Sequence, residues 1–158
     1  MDIVTDNLAT VRNKISAAAE RAGRKPEAVR LVLVTKTVAP ERIALALQSG
    51  QRDLGENKVQ EGLKKSEALA DKDIRWSMIG HLQTNKVKDV LRFAAEVQSL
   101  DRLPLAVALE KRLQQLGRSL DVFVLVNTSA EASKYGLAPE EVLSFLRELP
   151  AFSALKPK

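Results

Sequence analysis

The sequence predicts an α/β protein built on a parallel sheet, either a (β/α)8 barrel of the TIM type or an open doubly wound sheet. Three observations lead to this class. After an opening helix, strand-like apolar runs alternate with amphipathic helical segments. Successive strands begin about 20 to 25 residues apart, a spacing typical of βα units with right-handed crossovers. The first run is apolar on both faces, as expected of a strand covered on each side.

The helices are predicted from apolar residues at steps of three and four, and their ends from proline and glycine. The predicted helices are Ile3 to Ala22, Pro40 to Gly50, Val59 to Leu69, Thr84 to Ala94, Leu105 to Leu116 and Pro139 to Leu149. The predicted inner stripes include Ile43, Ala46 and Leu47 in the second helix; Val59, Leu63 and Ser66 in the third; Val87, Val90, Leu91 and Ala94 in the fourth; and Val142, Leu143, Leu146 and Leu149 in the last.

The strands are predicted at 31–34, 51–55, 74–79, 96–100 and 122–126, with a sixth beginning near 152–155. No Gly-x-Gly-x-x-Gly motif follows the first strand, which disfavours a dinucleotide-binding fold. An eight-unit barrel needs about 250 residues, so five units and the start of a sixth resemble a barrel cut short. We therefore expect residues 1–158 to form a single barrel domain that is truncated at its C-terminal end.

Composition excludes several classes of function. The chain has no cysteine, so it has neither disulfides nor thiolate metal sites. Its net charge is +5, but the basic residues are dispersed and aromatic residues make up only 4%, which disfavours nucleic-acid binding. No segment is long enough to span a membrane, and the N-terminus does not resemble a signal peptide. We therefore expect a cytoplasmic protein without nucleic-acid or membrane partners.

Lys36 is the first candidate for function. It follows the apolar run 31–34, at the carboxyl end of the strand, where ligands bind in parallel α/β folds. Apolar walls would remove its hydration and favour the neutral amine, a nucleophile that forms a Schiff base with a carbonyl. The alternative is a lysine that extends into water. The residues by themselves leave both interpretations open.

Four segments carry a resemblance to a known family: V-T-K-T at 34–37, D-L-G-E-N-K-V-Q-E at 53–61, W-S-M-I-G-H-L-Q-T-N-K at 76–86 and S-K-Y-G at 133–136. Together they resemble the YggS-type pyridoxal-phosphate homeostasis protein family. The resemblance implies an alanine racemase N-terminal-domain-like barrel, present here as its first five to six βα units. It implies pyridoxal 5′-phosphate (PLP) held as an internal aldimine on Lys36, for buffering or delivery to PLP-dependent acceptor enzymes. It also implies that the full-length form is a monomer.

The resemblance implies four further cofactor-binding residues, each with a structural alternative. Asn57 would contact the cofactor, or would form part of a turn or the N-cap of the next helix. Met78 would line the barrel mouth or fill an interior layer. His81 would lie over the mouth near the cofactor ring, or would cap the next helix or stack on Trp76. Lys134 would relay the cofactor at the mouth or remain a solvated loop lysine.

Members of the family run roughly seventy residues further, through the last barrel strands, whose loops commonly bind phosphate. By resemblance that part carries the phosphate-binding groups and an arginine near the ring nitrogen, so we expect weak PLP binding by these 158 residues. The alternative function is a PLP-dependent, racemase-like enzyme acting on amino acids. Such an enzyme needs an acid/base partner facing Lys36. The only tyrosine, Tyr135, is predicted to lie in a loop, so we expect a carrier without catalytic residues or a metal site.

Overall fold

A computed structural model describes residues 3–158, which form six parallel strands alternating with helices. The strands are β1 (Leu33–Val34), β2 (Asp53–Glu56), β3 (Arg75–Met78), β4 (Ala94–Leu100), β5 (Leu120–Val124) and β6 (Leu155–Pro157). They pair in chain order from β1 to β6, and every pair is parallel. This arrangement is that of consecutive βα units of a barrel, and it confirms the predicted fold class.

The helices are α1 (Ile3–Arg21), α2 (Pro40–Gln48), α3 (Val59–Ala68), α4 (Val87–Val90), α5 (Leu103–Leu116) and α6 (Val142–Glu148). Pro40 lies in the first turn of α2, where its missing N–H is no loss. Gly117 ends α5 with a left-handed φ of 60°, a conformation in which glycine is free of Cβ strain. The predicted inner stripe of α2 is confirmed, since Ile43, Ala46 and Leu47 are buried.

The helix predicted at 84–94 is wrong in its length. A 3-10 turn covers Thr84–Lys86, α4 ends at Val90, and Ala94 is the first residue of β4. Ala94 pairs with Trp76 of β3, so sheet pairing overrides the helical spacing that continued to this position. The sequence pattern was correct for the buried side chains of α4, and it failed where the chain passes directly from helix to strand.

The two outer strands are less covered than predicted. Val34 is 47% exposed because β1 pairs only with β2 within residues 3–158, and β6 likewise pairs only with β5. The predicted inner stripe of α6 is also wrong in part: Leu143 is 69% exposed, whereas Phe145 is buried. The sheet described here therefore has two open edges with apolar residues beside them.

A buried carboxylate, Glu96 of β4, ties together the amino-terminal ends of the strands. Its side chain is 0% exposed. Arg30 donates to both carboxylate oxygens at 2.8 Å, and Arg75 donates to Oε2 at 2.9 Å. Ser77 and Gln98 donate to Oε1 at 2.8 and 2.6 Å. We call these five residues the Glu96 cluster; it spans the chain from the segment before β1 to β4.

The cluster sets the charge state of Glu96. Burial by itself would raise the pKa of this carboxyl group, but hydrogen bonds from Arg30, Gln98, Arg75 and Ser77 outweigh burial and lower the pKa from 4.5 to about 2. A carboxyl group whose pKa falls on folding stabilises the folded state above its unfolded value. This stabilisation is fully present above about pH 4.5 and is lost as the pH falls toward 2.

We predict that Glu96→Gln lowers the free energy of unfolding at neutral pH by about 2–3 kcal/mol, because two arginines lose their anionic partner. The deficit relative to the wild type should shrink as the pH falls from about 4.5 toward 2, because the wild-type carboxylate then becomes protonated. Urea unfolding across a pH series measures both effects.

The matched control is Glu67→Gln, which removes a carboxylate that is 60% exposed and paired with the equally exposed Arg92. That change should cost less than about 1 kcal/mol at any pH, as exposed ion pairs generally do. A Glu96→Gln deficit that is independent of pH would contradict the assigned charge state.

Candidate functional site

A cavity of about 580 Å³ lies at the carboxyl ends of β2, β3 and β5. Asn57 directly follows β2, and His81 lies in the loop after β3. Both line the cavity, together with Lys134 from the long segment between β5 and α6. The cavity therefore brings together three of the five site residues predicted from the sequence. Lys36 and Met78 are not part of its lining.

The cavity is basic. Lys58, Lys86 and Lys134 line it, and no carboxylate is among the residues that form its wall. The uncharged polar groups of the wall include those of Gln60 and Gln83. Cations that converge on a concave surface without counter-charges attract anions, and lysine ammonium groups are common phosphate ligands. The lining therefore suits an anionic ligand of small size.

His81 stacks on Tyr135, with ring centroids 3.8 Å apart and an interplanar angle of 15°. The prediction that it stacks on Trp76 is wrong, because Trp76 is buried in β3 and meets Phe93 edge-to-face at 6.4 Å. Gln83 occupies the N-cap of the following 3-10 turn, so His81 does not cap that helix either. The stacked pair places the sole tyrosine of the chain at the cavity, which the loop assignment by itself did not reveal.

His81 also has an unused hydrogen-bonding group. Its Nδ1 atom is buried without a hydrogen-bond partner among residues 3–158. The nearest carboxylate is that of Asp101, whose Oδ2 lies 3.9 Å away, too far for a direct hydrogen bond.

The loops after β2 and β3 approach each other closely at the cavity. A Cβ atom on Gly80 would lie only 2.7 Å from the Cα atom of Asn57, so only glycine fits here without a shift of the backbone. Asn57 does not cap α3, whose N-cap is Lys58, and that alternative is wrong. Met78 is fully buried within the main hydrophobic core, as its interior-layer interpretation predicted.

Lys36 follows β1 and is exposed. The expectation that apolar walls remove its hydration is wrong for the described residues, because β1 is an edge strand here and Val34 is itself half exposed. The residue after it, Thr37, has a φ of 63°, in the left-handed region. Lys36 is therefore accessible and lies in a backbone segment of unusual conformation.

A buried ionic cluster beneath this segment was not identified from the sequence. Lys65 of α3 donates from Nζ to the Thr35 carbonyl at 2.6 Å, to Glu56 Oε1 at 2.8 Å and to Glu61 Oε1 at 2.6 Å. Of the predicted inner stripe of α3, Val59 is buried, but Leu63 and Ser66 are only partly so. The other buried residues of the helix are Gly62 and Lys65. The i, i+4 spacing of Glu61 and Lys65 was the available signal, and it is normally that of a surface pair.

Two further features are absent from the part of the chain that the structure describes, a metal site and a membrane-spanning helix. No group of three or more His, Cys, Asp or Glu side chains within 3–158 is arranged to hold a metal ion. In the same range, no helix has both the length and the apolar character that crossing a bilayer requires.

Comparison with known proteins places the chain in a family. The family described as "Alanine racemase, N-terminal domain" matches residues 7–158. The chain is 41% identical over 153 residues to the pyridoxal phosphate homeostasis protein of Aquifex aeolicus, covering 95% of this chain and 67% of that protein. A namesake from Pseudomonas aeruginosa is 39% identical over 142 residues, with 62% of its length covered. The chain thus spans about two thirds of the length of the curated relatives it matches.

Among solved structures, PipY of Synechococcus elongatus with PLP bound matches with a TM-score of 0.81 and 27% identity, covering 98% of this chain and 68% of PipY. An alanine racemase of Clostridium difficile matches with a TM-score of 0.65 at 16% identity over 80% of this chain and 33% of the racemase, a likeness of fold alone. The chain therefore belongs to the alanine racemase N-terminal domain family and is a relative of the pyridoxal phosphate homeostasis proteins.

Proposed function

We propose that this chain binds pyridoxal 5′-phosphate for intracellular PLP homeostasis and attaches it to Lys36 for buffering or delivery. The observation that carries the proposal is the cavity at the carboxyl ends of the strands, which is lined by three lysines and no carboxylate. The names of the curated relatives and the PLP-bound structure of PipY support it.

The residues present fit this cofactor. When bound, PLP supplies an aldehyde carbon with which a neutral lysine amine condenses, with release of one water. Lys36 does not line the cavity, but it is the proposed lysine because it is an exposed residue that follows β1 at the same end of the sheet. Asn57 is proposed to contact the cofactor, His81 to line its site through the stack on Tyr135, Met78 to support the mouth from the core, and Lys134 to relay the cofactor.

The proposal extends to the wider role of the protein. It includes a single barrel domain, a cytoplasmic location, PLP-dependent acceptor enzymes as partners and a monomeric full-length form. The role is proposed to be non-enzymatic, and the names of the relatives, which describe homeostasis rather than a reaction, support this.

We predict that, in the full-length protein, Lys36→Ala abolishes covalent attachment of PLP at this position without unfolding the protein, because Lys36 is exposed and no described contact of its side chain is lost. The measurement is incubation with PLP, reduction with borohydride and mass mapping of the modified peptides. Circular dichroism checks that the variant remains folded.

The matched control is Lys134→Ala, which should retain the adduct at Lys36 and slow transfer of PLP to an acceptor enzyme. An adduct that maps to Lys134 or to another lysine in the wild-type protein, with Lys36 unmodified, would sink the assignment of Lys36.

For His81 we predict a supporting role through its stack on Tyr135. Replacing His81 with Gln should leave the PLP concentration needed for half-maximal trapping at Lys36 within about tenfold of the wild-type value, a change of ~1.4 kcal/mol or less. A shift of about a hundredfold or more would instead place the imidazole in direct contact with the cofactor.

A racemase-like enzyme acting on amino acids is the second candidate function. The observation that favours it is the joint placement of His81 and Tyr135 at the cavity, since both side chains can transfer protons. The test is incubation of the PLP-loaded protein with L-alanine in deuterium oxide. Incorporation of deuterium at the α-carbon that is lost in Tyr135→Phe would favour the enzyme over the carrier.

A further inference from the structure

The segment that carries Lys36 is fixed on both sides by polar contacts. On one side, the Thr35 hydroxyl donates to Glu56 Oε1 at 2.6 Å, and the Thr35 carbonyl accepts from Lys65. On the other side, the backbone N–H of Thr37 donates to Glu61 Oε1 at 2.6 Å. Lys36 itself is exposed, whereas the backbone on either side of it is held by these contacts.

The conformation of Thr37 costs free energy. Its φ of 63° places a β-branched residue in the left-handed region, where Cβ clashes make such residues rare. A conformation of this kind is costly and persists only where the surroundings enforce it. The Thr37 hydroxyl donates to the Lys36 carbonyl at 2.6 Å, and the Glu61 carboxylate holds the Thr37 amide. Strain of this kind is concentrated at functional sites.

Glu61 is in turn anchored by a buried cation. Lys65 is 6% exposed, and its Nζ atom bridges Glu61 to Glu56, which is 0% exposed. The hydrogen bond from Lys65, followed by that from the Thr37 backbone and the nearby charges, outweighs burial and holds the pKa of Glu61 below its usual value. Glu61 therefore remains ionised at neutral pH and available as an acceptor for the Thr37 amide.

A buried lysine that faces two carboxylates is costly to assemble, and it offers little advantage in stability over an apolar core. Directly and through its two carboxylate partners, Lys65 is connected to Thr35 and Thr37, the two residues that flank Lys36. These contacts of Lys65 and its partners therefore restrict the direction in which the Lys36 side chain leaves the backbone.

We propose that Glu61, anchored by Lys65, is a positioning residue for Lys36: by holding the Thr37 amide it keeps the strained turn that presents the Lys36 amine to PLP. This role rests on the proposed function. It predicts that loss of the Glu61 side-chain oxygen that accepts from the Thr37 amide releases the turn and slows attachment at Lys36, while other lysines react as before.

The test compares Glu61→Ala and Glu61→Gln with Glu67→Gln, a control on the exposed face of the same helix. Two quantities are measured on each protein: the hydrogen-exchange rate of the Thr37 amide without PLP, and the rate of borohydride-trapped attachment of PLP at Lys36 relative to the exposed Lys64. The exchange measurement needs no cofactor, and the ratio of two lysines in one protein cancels general effects of stability.

For Glu61→Ala we expect exchange at Thr37 to accelerate about tenfold or more, and the Lys36-to-Lys64 ratio to fall about tenfold or more, as displacement of a reacting group does. Glu61→Gln keeps a side-chain oxygen for the Thr37 amide and should stay within about threefold of the wild-type ratio. Glu67→Gln should change neither quantity.

Two results would overturn the positioning role while leaving PLP binding intact. One is unchanged exchange at Thr37 in Glu61→Ala. The other is accelerated exchange with an unchanged Lys36-to-Lys64 ratio. A wild-type protein that shows no attachment at Lys36 would overturn the proposed function, and the positioning role with it. The outcomes of the two proposals are therefore distinguishable.

Discussion

Parallel pairing of the strands in chain order is the constraint on which the site depends. Because β1 to β6 all run in one direction, the loops that follow the strands all lie at the carboxyl ends of the strands. Asn57 and His81 meet at one cavity for this reason, although they lie 24 positions apart in the chain. The Glu96 cluster lies at the amino-terminal ends of the strands, which it holds together. The amino-terminal ends of the strands thus carry a stabilising cluster, and their carboxyl ends carry the proposed ligand site.

Buried charge has a different role at the two ends of the strands. Glu96 gathers donors from several strands, and their hydrogen bonds make its ionised form favourable despite burial. Lys65 lies near the carboxyl ends of the strands. Its partners are the Thr35 carbonyl, next to Lys36, and the carboxylates of Glu56 and Glu61. Since buried ion pairs stabilise folds only weakly, their value lies in selecting one arrangement of the groups around them. At Glu96 the selected arrangement is that of neighbouring strands; at Lys65 it is one turn of backbone.

The sequence predicted the parallel α/β class, the order of the elements and the family, because apolar periodicity and local motifs carry that information. It failed where long-range contacts decide: Ala94 joined the sheet, and the Lys36 side chain was exposed by an open edge. The role of Lys65 was also missed, since a lysine that follows a glutamate by four residues is usually a surface partner. Tyr135 was placed correctly in a loop, but its stack on His81 joins residues far apart in the chain.

The proposed function depends on the presentation of Lys36 to pyridoxal 5′-phosphate at the carboxyl ends of the strands. The visible absorption spectrum of the purified protein with PLP in excess tests it most directly, because a lysine-bound cofactor absorbs in the visible range differently from the free aldehyde. The account predicts a new visible band that is present in the wild type and in Lys134→Ala and absent in Lys36→Ala. A wild-type spectrum equal to the sum of free PLP and protein, or a band that persists in Lys36→Ala, would contradict it.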